Sequence, residues 1–503
     1  MAARKAFRKG GGWFRRNAAT PRAVIRLPDH SDKPAMITRC ALPKPLPSGR
    51  LAEVWQLVRL LVVMLTAGEE RREIAVHRVI HVMSGKARRR APSLVARATL
   101  LLAMLALPRV ASAQTAKVLT PTEMFDPENS PGVPLGNKLV LRNETTLQAQ
   151  GNSNIYNVDT DRRSDVIGIL QSDVFLGTRS ARHMAELSAG GTLLRYARTG
   201  AENTSIYHGA ARGRLDLGER ITVSADGELA RDYEMRGTAG DQFSQFATDH
   251  PVLYNRRQFH GRLERSGGIL EVALEGSLRT QDYLKAAVQG VPLDLSYRNV
   301  TVRQGKLETQ YRLSPALRLY TELSVNQVAY ARNLGYARDS SGYAALVGLH
   351  MAVTSVIDAE AAIGYMRQTF QTPGTQPVSG LSYKLAANWT PTPMWRVTAT
   401  GRRDVDASPL SNSPAIVRST FDLKGQRALG DRVLIDAHAA YTQEDYRGLP
   451  RSDRRVEAGT GAHYRLTRNV GLLAQAGWRQ QWGGASGRSY SGFSGSLGVR
   501  IVL

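Results

Sequence analysis

From Lys138 to Leu503 apolar and polar residues alternate in one short segment after another, and no amphipathic helix interrupts them. In "ILEVALEGSLR" (269–279), Leu270, Val272, Leu274, Gly276 and Leu278 fall on one side, and Glu271, Ala273, Glu275, Ser277 and Arg279 on the other. Successive side chains of an extended chain point opposite ways, so this is a strand with one apolar and one charged face. In a soluble sandwich the apolar face would meet a second sheet. In an outer-membrane barrel it would meet lipid, while the charged face lined a wet interior.

Neighbouring segments follow the same rule. Residues 184–197 set Leu187, Ala189, Gly191 and Leu193 against Glu186, Ser188 and Thr192. Residues 205–217 set Tyr207, Gly209, Ala211, Gly213, Leu215 and Leu217 against His208, Arg212, Arg214 and Asp216. Small residues on the apolar face lower the mean hydropathy, which is why no window looks like a membrane helix.

Connections alternate in length. Tight turns are expected at 178–183, 216–220, 265–268, 313–316, 353–356, 390–394, 429–432 and 466–469. Longer polar stretches separate them, the longest being Met235–Leu253. Pairs of strands at each tight turn, plus a first (138–150) and a last (489–503), give a fold class: all-β, a transmembrane antiparallel up-and-down barrel of about 18 strands, with 16 the nearest alternative. Short turns would be periplasmic and long loops extracellular.

The net charge of +24 invites a nucleic-acid reading, but its distribution argues against one. Residues 1–113 hold 22 Lys and Arg against 6 Asp and Glu, leaving 45 against 37 for the rest. From Met83 the leader reads as a secretory signal: Lys86, Arg88, Arg89, Arg90 and Arg97, then apolar Ala98–Leu107, then Ala111-Ser112-Ala113 before Gln114. We expect cleavage between Ala113 and Gln114, residues 83–113 as signal peptide, and 114–137 as an irregular periplasmic segment before the barrel of 138–503. Residues 1–82 are then either a non-native extension, with the true start at Met83 or Met64, or a disordered prefix. The single cysteine, Cys40, lies in that prefix, so the exported part has neither disulfide nor thiolate site.

Aromatic residues gather near both ends of the strands, as headgroup girdles would. Tyr196, Tyr207, Tyr233, Phe259, Tyr283, Tyr297, Tyr330, Tyr343, Phe370, Tyr441 and Tyr490 lie near the long loops, and Tyr311, Tyr320, Trp389, Trp395 and Tyr464 near the tight turns. The last strand, "YSGFSGSLGVRIVL", would close the sheet on the first and remove its edge. It also looks like the C-terminal signature read by the barrel-assembly machinery, with Leu503 in place of the usual aromatic.

The stretch 154–237, with "SD" before the second strand, "LSAGGTLLRY" in the third and "GRLDL" in the fourth, resembles the β-barrel porins (β-barrel porin 2 type) encoded beside exopolysaccharide gene clusters. The resemblance covers 114–503. It implies residence in the outer membrane of a Gram-negative bacterium, contact with outer-membrane lipid and lipopolysaccharide, and a role beside polysaccharide secretion components.

A barrel of this size encloses an aqueous channel, so transport is the expected activity. The pore-lining charges include Arg212, Arg214, Glu271, Glu275, Arg279, Glu308, Arg312, Arg318 and Glu322. Many would pair across neighbouring strands. Lys384, Arg396, Arg402, Arg418 and Lys424 have few acidic neighbours in the pattern and form the candidate cationic strip for an anionic polymer. The functional expectation is a conduit for exopolysaccharide export through a charged lumen; the alternative is passive diffusion of small hydrophilic solutes. No nucleotide-binding, hydrolase or metalloprotease motif occurs, and we expect no catalytic residue, metal or cofactor. Lumenal His208, His260, His350, His438 and His463 leave a wall-embedded hydrolase as a third possibility. "DTDRRSD" (159–165) lacks the Gly and Glu of a calcium loop and reads as a solvated loop.

Overall fold

The computed structural model describes residues 120–503, apart from 126–128, 130–131, 179, 181–182, 238–247, 335–336, 355 and 484–487. The expected prefix, Cys40, the signal peptide and the Ala113–Gln114 junction lie outside the described residues. So does the middle of the longest loop.

Alternation becomes strand after strand. In chain order they are β1 (Leu139–Asn152), β2 (Asp165–Thr178), β3 (His183–Tyr196), β4 (Thr204–Leu217), β5 (Ile221–Tyr233), β6 (Leu253–Arg265), β7 (Leu270–Tyr283), β8 (Val300–Ser314) and β9 (Leu317–Tyr330). Then follow β10 (Ser340–Thr354), β11 (Ile357–Phe370), β12 (Val378–Trp389), β13 (Trp395–Ala407), β14 (Ala415–Leu429), β15 (Val433–Tyr446), β16 (Arg451–Arg465), β17 (Val470–Trp482) and β18 (Tyr490–Val502). Each pairs antiparallel with the next, and β18 pairs with β1 from Glu144↔Val502 to Asn152↔Ser494. The sheet is therefore a closed barrel of eighteen strands. The two segments whose alternation is least clean, at 165–177 and 342–353, are both strands in it.

The start of β1 and the end of β18 both lie on the side of the tight turns. Register and burial agree on which face is which. On β7, Leu270 and Leu274 are exposed outward, while Ala273 between them is buried. Leu274 sits opposite Leu263 on β6 and Leu307 on β8, continuing an apolar outer belt. The greasy face of 269–279 thus points away from the barrel interior, which is where a membrane places hydrocarbon.

Not every end-of-strand aromatic joins the expected girdles. Tyr207, Phe259, Tyr343, Tyr311, Trp389, Trp395 and Tyr464 are exposed, but Tyr297, Tyr330, Phe370 and Tyr490 are buried. Tyr320 is also buried, on the lumen face of β9. Parity explains three of these: on β9 and β11 the odd-numbered residues face out, so Tyr320, Tyr330 and Phe370 face in.

The segment before the barrel is not wholly irregular. Val133–Leu135 pairs with the start of β1. Upstream, Phe125 is buried against Ala428 and Leu434. Arg500 donates to the Phe125 carbonyl (3.1 Å), Arg465 donates to the Met124 carbonyl (2.9 Å) and its guanidinium lies 4.9 Å from the Phe125 ring. All these partners are lumen-facing, so this segment enters the periplasmic mouth.

Candidate functional site: the charged lumen and its mouth

The even or odd rows opposite the exposed hydrophobics carry ions. All the candidate residues occupy those rows: Arg212 and Arg214 on β4, Glu271, Glu275 and Arg279 on β7, Glu308 and Arg312 on β8, Arg318 and Glu322 on β9. Lys384 on β12, Arg396 and Arg402 on β13, and Arg418 and Lys424 on β14 do likewise.

One densely paired network runs along the wall from β6 to β12. Lys306 meets Glu275 (2.6 Å) and Glu308 (2.8 Å), and Arg262 meets Glu275, Glu264 (2.9 Å) and Glu308 (2.9 Å). Lys384 extends it by reaching Glu360 (3.0 Å), Glu322 (3.4 Å), Glu308 (3.7 Å) and the Tyr320 hydroxyl (2.9 Å). A lysine on β12 can approach a glutamate on β8 only where the intervening wall is sharply bent. Small inward residues allow that: at Gly348 and Gly364 an added Cβ would lie within about 2 Å of a backbone carbonyl across the strand.

Among the strip residues, the expected shortage of acidic partners is corrected by these contacts. Lys384 has three carboxylates within 4 Å, Arg402 pairs with Asp404, and Arg418 pairs with Asp406 and with Glu444 (2.9 Å). Lys384 reaches acids on β8 and β9 as well as on adjacent β11, Arg402 uses the next inward position of its own strand, and Arg418 uses the strands on either side, with Glu444 directly opposite it. Lys424 makes no ion pair among the described residues. Elsewhere pairing is more local: Glu186 is shared by Arg142 and Arg212 (2.6 Å), and Glu271 by Arg318 (2.8 Å) and Arg312 (3.7 Å). The wall histidines His208, His260, His350 and His463 each stand beside an aspartate.

A cavity of about 730 Å³ opens between these walls. Lys384, Arg402 and Arg418 line it, together with Glu275, Arg279 and Glu322. Arg396 and Lys424 do not, nor do Arg212, Arg214, Glu271, Glu308, Arg312 and Arg318. The structure therefore brings three of the five strip residues to one space.

Its extracellular side is closed by a feature the alternation did not predict. Pairing of β12 with β13 stops at Tyr383↔Arg403, whereas β13 stays paired with β14 as far as Ala407↔Ala415. Above that point the β13–β14 hairpin turns into the lumen. Val405, Ala415 and Val417 pack on Met366, Phe370 and Val378, and Ala407 packs against the Val300, Val328 and Tyr330 cluster. Asp406 then reaches Arg279 on β7 at 3.2 Å, across the interior. A signal was present: "AIV" (415–417) is three consecutive apolar residues, and such a run belongs to a strand covered on both faces.

The β7–β8 and β9–β10 loops lock this hairpin. Arg338, 1% exposed, donates to the carbonyls of Ser408 (3.1 Å), Leu410 (3.1 Å) and Tyr297. No carboxylate pairs with it among the described residues, and burial draws its pKa below the usual guanidinium value. Nearby Arg298, equally buried, is paired with Glu234. On another part of the mouth, Arg236 grips Glu202 (2.7 Å) and the Thr248 hydroxyl (2.7 Å), fixing both flanks of the longest loop.

The family model described as putative beta-barrel porin 2 matches residues 126–503. The chain belongs to that family. No curated protein matches it. Among solved structures it is similar to the FrpB iron transporter from Neisseria meningitidis (F3-3 variant; 10% identity over 73% of this chain and 82% of that one, TM-score 0.39). It is also similar to the copper transporter OprC (13%, 76% and 84%, TM-score 0.41) and to Pseudomonas aeruginosa OpdL (10%, 73% and 98%, TM-score 0.37).

As a β-barrel porin 2 family member the chain is an outer-membrane-type channel, and its distinguishing features lie inside the wall. Asp165, the end of the acidic loop 159–165, accepts from the backbone N–H groups of Val166 (2.7 Å), Arg198 (3.2 Å) and Thr199 (2.8 Å). It is thus engaged in joining two loops. No cluster able to hold a metal occurs among the described residues.

Proposed function

We propose that this barrel is a conduit in the outer membrane of a Gram-negative bacterium that takes part in exopolysaccharide export. The observation that carries the reading is the ionic lumen: charged side chains line the inner wall, and Lys384, Arg402 and Arg418 face one cavity. A hydrated polymer bearing carboxylates needs such a surface, where guanidinium groups exchange partners with it while each retains a carboxylate of its own. Arg402, whose side chain is 66% exposed, is the best placed to do so. Family resemblance to porins encoded beside polysaccharide gene clusters supports the same choice of cargo.

Secretion components would meet the periplasmic mouth, and the barrel-assembly machinery would insert the chain. Nothing in the reading calls for catalysis or a cofactor. The test is deletion of the gene with assay of secreted polysaccharide, complemented by Arg402→Glu. Loss of extracellular polymer, restored by the wild-type chain and not by the Glu variant, is the expected result. Undiminished secretion, with liposomes made permeable to small sugars by the purified barrel, would replace it with a passive diffusion porin.

A further inference from the structure

Where β12 and β13 part, the barrel wall has a seam. Residues 378–382 of β12 keep their β11 partners but have none on the other side, and residues 404–407 of β13 have turned away with β14. Strand pairs normally satisfy both edges inside a membrane, since an open edge leaves backbone groups without partners. Here one side-chain bond, Ser382 Oγ to the Arg403 carbonyl (2.9 Å), spans the parting. The seam lies at the long-loop end, level with the outer leaflet.

Three things surround it. Outside stand Arg367 on β11 and Arg403 on β13, one on each side, neither with a carboxylate partner among the described residues. Beneath it on the outer face, Tyr383 stacks on Phe421 (5.6 Å), and Phe421 meets Tyr441 (6.5 Å). Inside, the charged wall gives way to apolar side chains: Met366, Phe370, Val378, Val405 and Val417 form one cluster behind the seam. The lumen cavity runs up to this place, taking in Tyr383 and Arg403 of the outward rows as well as Ser382 and Lys384 of the inward ones.

We propose that the wall opens sideways between β12 and β13, and that the opening admits an anionic amphiphile of the outer leaflet, a phosphate-bearing head group with alkyl chains, into the lumen. The paired arginines suit the phosphate, which accepts from guanidinium forks. The apolar cluster suits an alkyl chain, which the ionic stretches of the wall would reject. The inturned hairpin is the movable part: it is held to the wall by loop contacts and by packing, with no ladder of backbone bonds to β12. This holds whether the axial cargo is a polymer or a small solute.

The test is photo-cross-linking in cells grown with radioactive phosphate. A benzophenone amino acid is placed at Thr420, which faces the cavity behind the seam, at Tyr383 on the outer face, and at Gln148, on the lumen face of β1. Heat-modified gel mobility shows that each barrel has folded; Arg402 serves as the second inner position if the Thr420 chain has not. Labelled lipid adducts are expected from Thr420 and Tyr383 and not from Gln148, and Arg367→Gln with Arg403→Gln should cut the Thr420 adduct at least fivefold. No labelled adduct from the inner position, whatever Tyr383 captures, would overturn the proposal. Equal labelling of Thr420 and Gln148 would overturn it too, since lipid would then be entering by some other route. Loss of polymer export on gene deletion bears on the conduit alone, so the two readings fail separately.

Discussion

The guanidinium of Arg338 lies 3.8 Å from the ring centre of Tyr330, and both groups bond the same acceptor, the carbonyl of Ser408. One residue comes from the β9–β10 loop, the other from the end of β9, and the acceptor from the β13–β14 loop. The inturned hairpin is thus fastened by a cation–π stack and three carbonyl acceptors, all out of reach of water. Arg338→Ala removes one donor from each of these carbonyls and leaves that of Ser408 with the Tyr330 hydroxyl alone, at about 1–3 kcal/mol for each group left unsatisfied. Arg338→Lys should rescue little, because an ammonium cannot serve three acceptors in a plane while stacking. Faster proteolysis within 408–414 and a larger single-channel conductance, with the barrel itself intact on gels, are the expected outcomes.

Lys384 is the only Lys or Arg within 4 Å of Glu360 and Glu322 among the described residues, with His350 4.0 Å from Glu360. Replacing it with Met strands carboxylates in the bent wall, and breaking such a part-buried pair costs up to about 3–5 kcal/mol where water cannot follow. Side-chain exposure of 33% for Lys384 places the expected loss below that ceiling. The functional effect should be larger than the structural one: net charge beside the cavity becomes more negative. Reversal potentials across a planar bilayer should move toward cation selectivity, and Lys384→Arg should leave them unchanged.

How much of this was legible in the chain follows from what alternation encodes. Period two gives face, strand ends and turn positions, so Leu274 outward, Glu275 inward and the tight turns could all be placed. It does not give curvature. Lys384 meets Glu308 because Gly348, Ala362 and Gly364 let the wall fold sharply, and no local pattern reports a contact between strands four apart. The inturned hairpin was visible only as the apolar triplet Ala415–Val417, and the periplasmic segment only as one phenylalanine in polar, Pro-rich surroundings. Both contacts are satisfied across the lumen, where sequence spacing carries no information.

Leu274→Arg tests the orientation on which the whole reading stands. In the outer belt opposite Leu263 and Leu307, a charge would face hydrocarbon, costing about 2–4 kcal/mol near the midplane and less toward either surface. Ser277→Arg, on the wet face of the same strand, should cost far less. Urea unfolding of the barrel folded into vesicles distinguishes them; equal destabilisation by both would contradict an outward Leu274.

The periplasmic mouth gives the last test. Phe125 is buried among Ala428, Leu434 and the Arg465 guanidinium, while Arg465 and Arg500 bond the carbonyls of Met124 and Phe125. Phe125→Ala removes the packing that seats the segment, a loss of about 3–5 kcal/mol at a full core site. Anchoring here is by one ring and two arginines at a wet opening, so the segment should detach while the eighteen strands persist. Met124→Cys reports this directly, because the only other cysteine of the chain, Cys40, precedes the barrel. A charged maleimide should label Cys at 124 slowly in the otherwise unaltered chain and many-fold faster with Phe125→Ala, with conductance rising in parallel. Fast labelling in both would mean that the segment does not occupy the lumen.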